Sequence, residues 1–136
     1  MKRPVLAAVL ALGVILLAGA AALASARGDL GPATARQAIA APIDRMDIVI
    51  LDSSPPQVTL NVMAGLPSGC AQRESHSVTR TGDTFTVSVL NSMPTGNPVC
   101  DMIYGTYELS IDLGRDFRPG ATYTVRVNDK TTTFKN

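Results

Sequence analysis

Apolar residues follow two rhythms along this chain. From Val5 to Ala24 they run on without a charged or hydrogen-bonding side chain. From Ile43 onward they alternate with polar residues at period two, the rhythm of a β-strand whose two faces meet different surroundings. In Gln57 to Met63, Val58, Leu60 and Val62 point one way while Thr59 and Asn61 point the other. Phe85, Val87 and Val89 form the apolar face of Thr84 to Leu90, and Tyr107, Leu109, Ile111 and Leu113 that of Thr106 to Leu113. Tyr123, Val125 and Val127 do the same in Thr122 to Val127, and Asn128-Asp129 turns the chain into Lys130 to Phe134. Two segments depart from this alternation. Met46 to Asp52 is apolar on both faces at Ile48-Val49-Ile50-Leu51, which predicts a buried strand. Gln72 to Arg80 is polar and β-branched, which predicts an edge strand with little to bury. Short strands at these turn spacings, with no amphipathic helix, predict an all-β, immunoglobulin-like or fibronectin-type β-sandwich of about seven strands.

The uninterrupted apolar run has another meaning. Lys2 and Arg3 precede it, and small residues from Ala18 onward end in Ala24-Ser25-Ala26, an A-x-A type cleavage site. Residues 1–26 therefore read as a signal peptide, which predicts a secreted or extracytoplasmic protein. The run is about 20 residues long, enough at roughly 1.5 Å per residue to span a bilayer. An uncleaved anchor over residues 5–24 is thus the alternative. Residues 27–42, rich in Ala, Gly and Pro, are expected to be a flexible linker, and residues 43–136 the sandwich domain. The tripeptide Arg27-Gly28-Asp29 lies in that linker with nothing to constrain it into a tight loop, and is read as ordinary linker sequence.

Composition narrows the possible chemistry. A chain of 136 residues has room for one small domain. With 1 His and 2 Cys it can supply neither a multi-histidine metal site nor a four-ligand zinc site of Cys and His. The 12 Lys+Arg are balanced by 11 Asp+Glu, so the basic excess of a nucleic-acid binder is missing. Export bears on the cysteines: in an oxidising compartment Cys70 and Cys100 are expected to pair. That disulfide would close a loop of about 31 residues and contribute roughly 3–4 kcal/mol by the chain-entropy relation.

Candidate catalytic residues do not assemble. His76 sits between Ser75 and Ser77, whose side chains point to the opposite sheet face, so a Ser-His-Asp arrangement is not available locally. The acids Asp47, Asp52, Asp83, Glu108, Asp112 and Asp129 fall on outward faces or in turns, where they protect edges and confer solubility. Nucleotide-binding and nucleophile-elbow motifs are absent. Asp112, Asp116, Asn128 and Asp129 offer oxygens for a loop-end calcium ion, although without EF-hand spacing. No cofactor is implied.

The segment Asn91 to Tyr104, with three prolines or glycines at Pro94, Gly96 and Pro98, is expected to be a loop. It carries Met93, Val99, Met102, Ile103 and Tyr104. Either Val99, Ile103 and Tyr104 continue the core, or the apolar residues beside the disulfide form a partner-binding patch.

Several short strings carry a family likeness. They are Ile50-Leu51-Asp52-Ser53, Gln57-Val58, Leu66-Pro67-Ser68-Gly69-Cys70, Thr84-Phe85-Thr86-Val87, Cys100, and Pro119-Gly120-Ala121-Thr122-Tyr123-Thr124-Val125 with Val127-Asn128. Together they resemble uncharacterised small secreted β-sandwich domains of bacteria and archaea. The likeness implies fold and export but no active site. The chain departs from that pattern at Phe117-Arg118-Pro119 and Asn128-Asp129. Met93-Pro94-Thr95-Gly96 and Arg118-Pro119-Gly120 also resemble, in order, the wedge loops of chagasin-like inhibitors of papain-type cysteine proteases. The aromatic residue of the second loop and the Gly-rich middle loop are missing. The expectation is therefore an exported, non-enzymatic binding or structural module with an unknown protein or surface partner, and the alternative is a protease inhibitor. Contact with a membrane is expected only through an uncleaved N-terminal segment. Candidate partner-binding residues are Met93, Pro94, Thr95, Gly96, Met102, Tyr104, Arg118 and Pro119.

Overall fold

The described residues, 35–96 and 98–136 of a computed structural model, form eight strands and no helix. They are β1 (Arg36–Ala40), β2 (Ile43–Leu51), β3 (Gln57–Leu66), β4 (Gln72–Thr81), β5 (Thr84–Pro94), β6 (Gly105–Gly114), β7 (Thr122–Val127) and β8 (Lys130–Lys135). The expected signal or anchor, the Arg27-Gly28-Asp29 tripeptide and the first part of the expected linker lie outside the described residues.

Two sheets face each other. One has the order β2-β3-β6; the other runs β1-β5-β7-β8, with β4 also paired to β5. Alternation sets their inner faces. Val58, Leu60, Val62 and Ala64 of β3, and Leu109, Ile111 and Leu113 of β6, are buried against Phe85, Val87 and Val89 of β5, Tyr123, Val125 and Val127 of β7, and Phe134 of β8. The period-two reading of β3, β5, β6 and β7 thus names their core residues correctly, and Ala64 and Phe134 join them. At one end of the core Phe117, Tyr123 and Phe134 pack ring against ring, with centroids 5.1–5.6 Å apart. The Arg80 guanidinium lies over this group, 4.9 Å from the Phe85 centroid and 5.4 Å from that of Phe117. Phe117, a departure from the family pattern, thus becomes a wall of the core.

Strand pairing is antiparallel except between β5 and β7, which run parallel from Thr84↔Thr124 to Val87↔Val127. Beyond Val87 the same edge of β5 is taken over by β1, from Ala40↔Leu90 to Arg36↔Pro94. Asn128 fills the gap between them. Its backbone adopts φ 49°, a left-handed conformation that Asn tolerates better than most residues. Its Oδ1 accepts from the Val89 N–H at 3.0 Å, while Nδ2 donates to the Ala41 and Val89 carbonyls at 2.7 and 2.9 Å. The side-chain amide thus serves the Val89 N–H between two backbone bonds, from the Asn128 N–H to the Val87 carbonyl at 3.1 Å and from the Ala41 N–H to the Val89 carbonyl at 2.9 Å.

Three expectations are corrected. The linker does not extend to residue 42: Arg36–Ala40 is a strand and Ala41 is buried. This strand escapes the hydrophobic pattern because backbone hydrogen bonds to the β5 edge hold it, with only Ile39 partly covered. For the same reason Asn91–Pro94 belong to β5 and not to the expected loop, because β1 pairs with them. Finally, β2 is not buried on both faces. It is an edge strand, with Val49, Ile50 and Leu51 at 38%, 42% and 47% exposure. β4 is the polar edge strand expected, exposed along its whole length, with His76 in it.

Asn91 closes the inner face of β5 at its last buried position. It is fully buried, donating from Nδ2 to the Gly65 carbonyl at 2.8 Å and accepting from the Tyr107 hydroxyl at 2.7 Å. Replacing it strands two buried polar groups and leaves a small void. Asn91→Ala is expected to lower the unfolding free energy by about 2–4 kcal/mol, read from the urea midpoint at unchanged m value.

Candidate functional site

Five strand-end features meet around one covalent bond. Cys70 and Cys100 are joined as a disulfide, with Cα atoms 5.4 Å apart. Cys70 ends the turn after β3; Cys100 lies in the loop between β5 and β6. The turn is built by local hydrogen bonding: Ser68 Oγ accepts from the Cys70 N–H at 3.3 Å, and the Ser68 carbonyl accepts from the Ala71 N–H at 3.1 Å. The Gly69 N–H donates to the Asp101 carbonyl at 2.8 Å, tying turn and loop together next to the disulfide. Arg36 braces the pair from β1, donating to the Cys70 carbonyl at 2.8 Å and to the Ser92 side chain and carbonyl at 2.9 Å.

The far end of the loop is pinned by Tyr104. Its hydroxyl donates to the Asp44 carboxylate at 2.8 Å, across a separation of 60 residues. The ring lies against Gly65, where an added Cβ would overlap the Tyr104 Oη and Cζ. Glycine leaves the space that the ring occupies, and a larger residue there would displace it. The hydrogen bond to Asp44 raises the Tyr104 phenol above its ordinary value, with burial and the carboxylate's charge acting in the same direction. Burial likewise raises the nearby Tyr107 phenol, opposed by the Arg73 guanidinium 5.8 Å from its ring.

Between these anchors the apolar residues point into solvent. Val99 is 101% exposed, Met102 86%, Ile103 71% and Tyr104 50%. The core-continuation alternative for Val99, Ile103 and Tyr104 is therefore overturned. Pinning at Cys100, Asp101 and Tyr104 holds the backbone where Val99, Met102 and Ile103 cannot turn back to the sheets, while the Tyr104 ring lies over Gly65 at the surface.

The remaining candidates divide between this end of the domain and the other. Met93 and Pro94 are the last residues of β5 and half-buried, and the Met93 sulfur is 3.9 Å from Ser68 Oγ. Thr95 donates to the Ala35 carbonyl through both its N–H and its hydroxyl, at 2.8 and 3.0 Å, and Gly96 turns the chain at φ 86°. Arg118 and Pro119 are exposed before β7, where the Arg118 guanidinium bonds Asp83 at 2.6 Å. That carboxylate raises the Arg118 value further above its ordinary one. Because Thr84 pairs with Thr124, the Arg118–Gly120 turn stands at the start of β5 and Met93–Gly96 at its end. β5 has 11 residues, about 33 Å at a strand's rise. The two proline motifs do not share a surface. The calcium candidates are split in the same way: Asp112 and Asp116 precede β7, whereas Asn128 and Asp129 follow it and the Asn128 side chain is engaged with β5. Among the described residues no three His, Cys, Asp or Glu side chains gather around a common point.

Asp44, Gly65 and Arg36 carried no signal in the sequence. Each acts on a partner tens of residues away, and only the paired cysteines were recognisable by type.

Residues 60–136 match the family model of the ORF11 beta-sandwich domain. The match covers more than half of the chain, which belongs to this family. No curated protein and no solved structure matches it.

Two outcomes test this arrangement. Cys70→Ser with Cys100→Ser is expected to lower the unfolding free energy by about 3–4 kcal/mol in urea titration. In the second, Asp44→Asn is expected to bring the Tyr104 phenol down toward about 10. A neutral phenol donates to the carboxylate, whereas a phenolate would be repelled by it. The Tyr104–Asp44 contact therefore persists as pH rises to the ordinary phenol value and is lost only above it. Ultraviolet titration of Asp44→Asn, with Tyr104→Phe subtracted, reads the shift.

Proposed function

We propose, from membership of a family named for its fold, that this chain is an exported, non-enzymatic binding module whose working surface is the loop Val99–Tyr104. The observation that carries this reading is the exposure of four apolar side chains on a loop held by a disulfide, a backbone hydrogen bond and the Tyr104–Asp44 contact. A small domain gains nothing in stability by displaying Val, Met and Ile in water, so a site rigidly built to do so is best explained by a partner. The scatter of the carboxylates and the position of His76 on an exposed strand support a role in binding over one in bond-making. The disulfide is compatible with an oxidising, extracytoplasmic setting.

Inhibition of papain-type proteases is the alternative from another class. It requires Met93–Gly96 and Arg118–Pro119 to enter one cleft together, and their placement at opposite ends of β5 weighs against it.

The test is capture from the producer's own extracytoplasmic fraction by the oxidised full chain, read by mass spectrometry. A partner retained by the oxidised chain and lost from Met102→Asp with Ile103→Asp is expected. Retention unaffected by that double substitution would overturn the loop as the working surface. Loss of papain inhibition on Thr95→Arg, with the fold intact, would support the inhibitor instead.

A further inference from the structure

The outward faces of the two sheets carry different chemistry. On the three-stranded sheet Arg45 and Asp47 of β2, Asn61 of β3, and Glu108 and Asp112 of β6 point outward, so acids, a base and an amide mix. The outward face of the other sheet is lined by hydroxyls. Its register sets two rows across four strands: Thr81, Thr84, Thr124 and Thr133 in one, and Thr79, Thr86, Arg126 and Thr131 in the next. Phe85, Tyr123, Val125 and Phe134, which alternate with them, are buried, so the rows face outward. At a strand spacing of about 4.8 Å, each row is about 14 Å wide.

Threonine suits an exposed strand, which accounts for its presence on either sheet. It does not account for the sorting of charge. No acid stands in the two rows, and the charges among and beside them are cations. Arg126 lies within the second row, and Lys135, opposite Thr122, lies one outward position beyond the first. Neither meets a carboxylate among the described residues, whose ion pairs are Arg45–Asp47 and Arg118–Asp83. The acids nearest along the chain are neutralised or displaced. Asp83 in the β4–β5 turn is held by Arg118 at 2.6 Å, Glu74 sits at the bulge between Arg73 and Ser75, and Asp129 stands in the β7–β8 turn beside Lys130. Among the described residues only the Thr79 hydroxyl of these rows bonds to the protein, donating to the Thr86 carbonyl at 3.5 Å.

A flat face suits an extended polymer, whereas a small ligand needs enclosure. Hydroxyls that both donate and accept match the hydroxyls of sugars, and cations without a carboxylate match anionic groups. The rows hold no aromatic ring on which a nucleic-acid base could stack. We propose that the outward face of the β4-β5-β7-β8 sheet binds an acidic polysaccharide, with Arg126 and Lys135 taking its carboxylates and the threonine rows its hydroxyls. This surface lies on the first half of β5, whereas the Val99–Tyr104 loop follows its end, so it goes beyond the loop as a working surface and does not depend on it.

The full chain in nonionic detergent is titrated calorimetrically with polygalacturonate, and with dextran as the neutral polysaccharide. Binding to polygalacturonate alone, weakening between about 0.1 M and 1 M salt, is expected. Arg126→Gln with Lys135→Gln is expected to weaken it at least about fivefold. Thr86→Val with Thr131→Val, which removes hydroxyls at unchanged charge, is expected to weaken it about threefold. Arg45→Gln on the other sheet, and Met102→Asp with Ile103→Asp in the loop, are expected to leave it unchanged, so the loop and this face stand or fall separately. An unaltered urea midpoint shows that each variant remains folded. Absence of binding to polygalacturonate overturns the proposal, as does an equal loss in Arg45→Gln and in Arg126→Gln with Lys135→Gln. Binding indifferent to the threonine substitutions overturns the rows as contacts. Equally tight binding of single-stranded DNA overturns the polysaccharide as occupant, leaving charge attraction alone.

Discussion

The structure depends on how one edge of β5 is completed. β4 covers the other edge, but β7 pairs with β5 only as far as Val87, and β1 begins its pairing at Leu90. Between them the Val89 N–H of a central, buried strand would be left unsatisfied, at a cost on the order of 1–3 kcal/mol. The Asn128 Oδ1 accepts from it, and Nδ2 adds a second donor to the Val89 carbonyl that the Ala41 N–H already bonds, from a turn position whose left-handed backbone Asn accommodates. One residue thus ends the β7–β8 hairpin, joins it to β5 and, through the Ala41 carbonyl, fixes where β1 leaves the sheet.

From that junction the rest of the functional end follows. Holding β1 against the second half of β5 keeps Asn91–Pro94 in the sheet and brings Arg36 beside Ser92 and Cys70. The loop then starts at Thr95, already tied to Ala35, and not at Asn91. The disulfide and the Gly69–Asp101 bond shorten it further, and Tyr104 closes it across Gly65 onto Asp44. What remains free is a short, braced apolar tip. Rigid bracing matters for binding because a loop already held in place loses little conformational entropy when a partner covers it.

The two ends of the domain differ in character. Opposite the loop, Arg80, Asp83 and Arg118 surround the aromatic cluster, with the guanidinium of Arg80 over the rings and that of Arg118 on Asp83. Such an exposed ion pair contributes modestly to stability, yet these charges keep that end hydrated. The exposed stretch Val49–Leu51 on the β2 edge lies toward that end. It is flanked by Asp47 and Asp52, charges of the kind that discourage strand addition at an edge.

The sequence by itself determined the all-β class, the inner faces of β3, β5, β6 and β7, the polar β4 edge and the pairing of the only two cysteines. These are legible because side-chain period and residue type are local properties, and burial on one face of a strand leaves a direct mark on them. Only the tertiary structure decided that Ala-rich Arg36–Ala40 is a strand, that Ile48-Val49-Ile50-Leu51 lies at an edge, and that Val99 and Ile103 face water. Strand addition through the backbone requires no particular side chain, so β1 carried no pattern. An apolar run looks the same whether a neighbour covers it or not, so the position of β2 in its sheet could not be read from its residues. The loop's exposure was likewise set by distant partners, Cys70, Gly69, Gly65 and Asp44, which hold its backbone where its apolar side chains cannot reach the core.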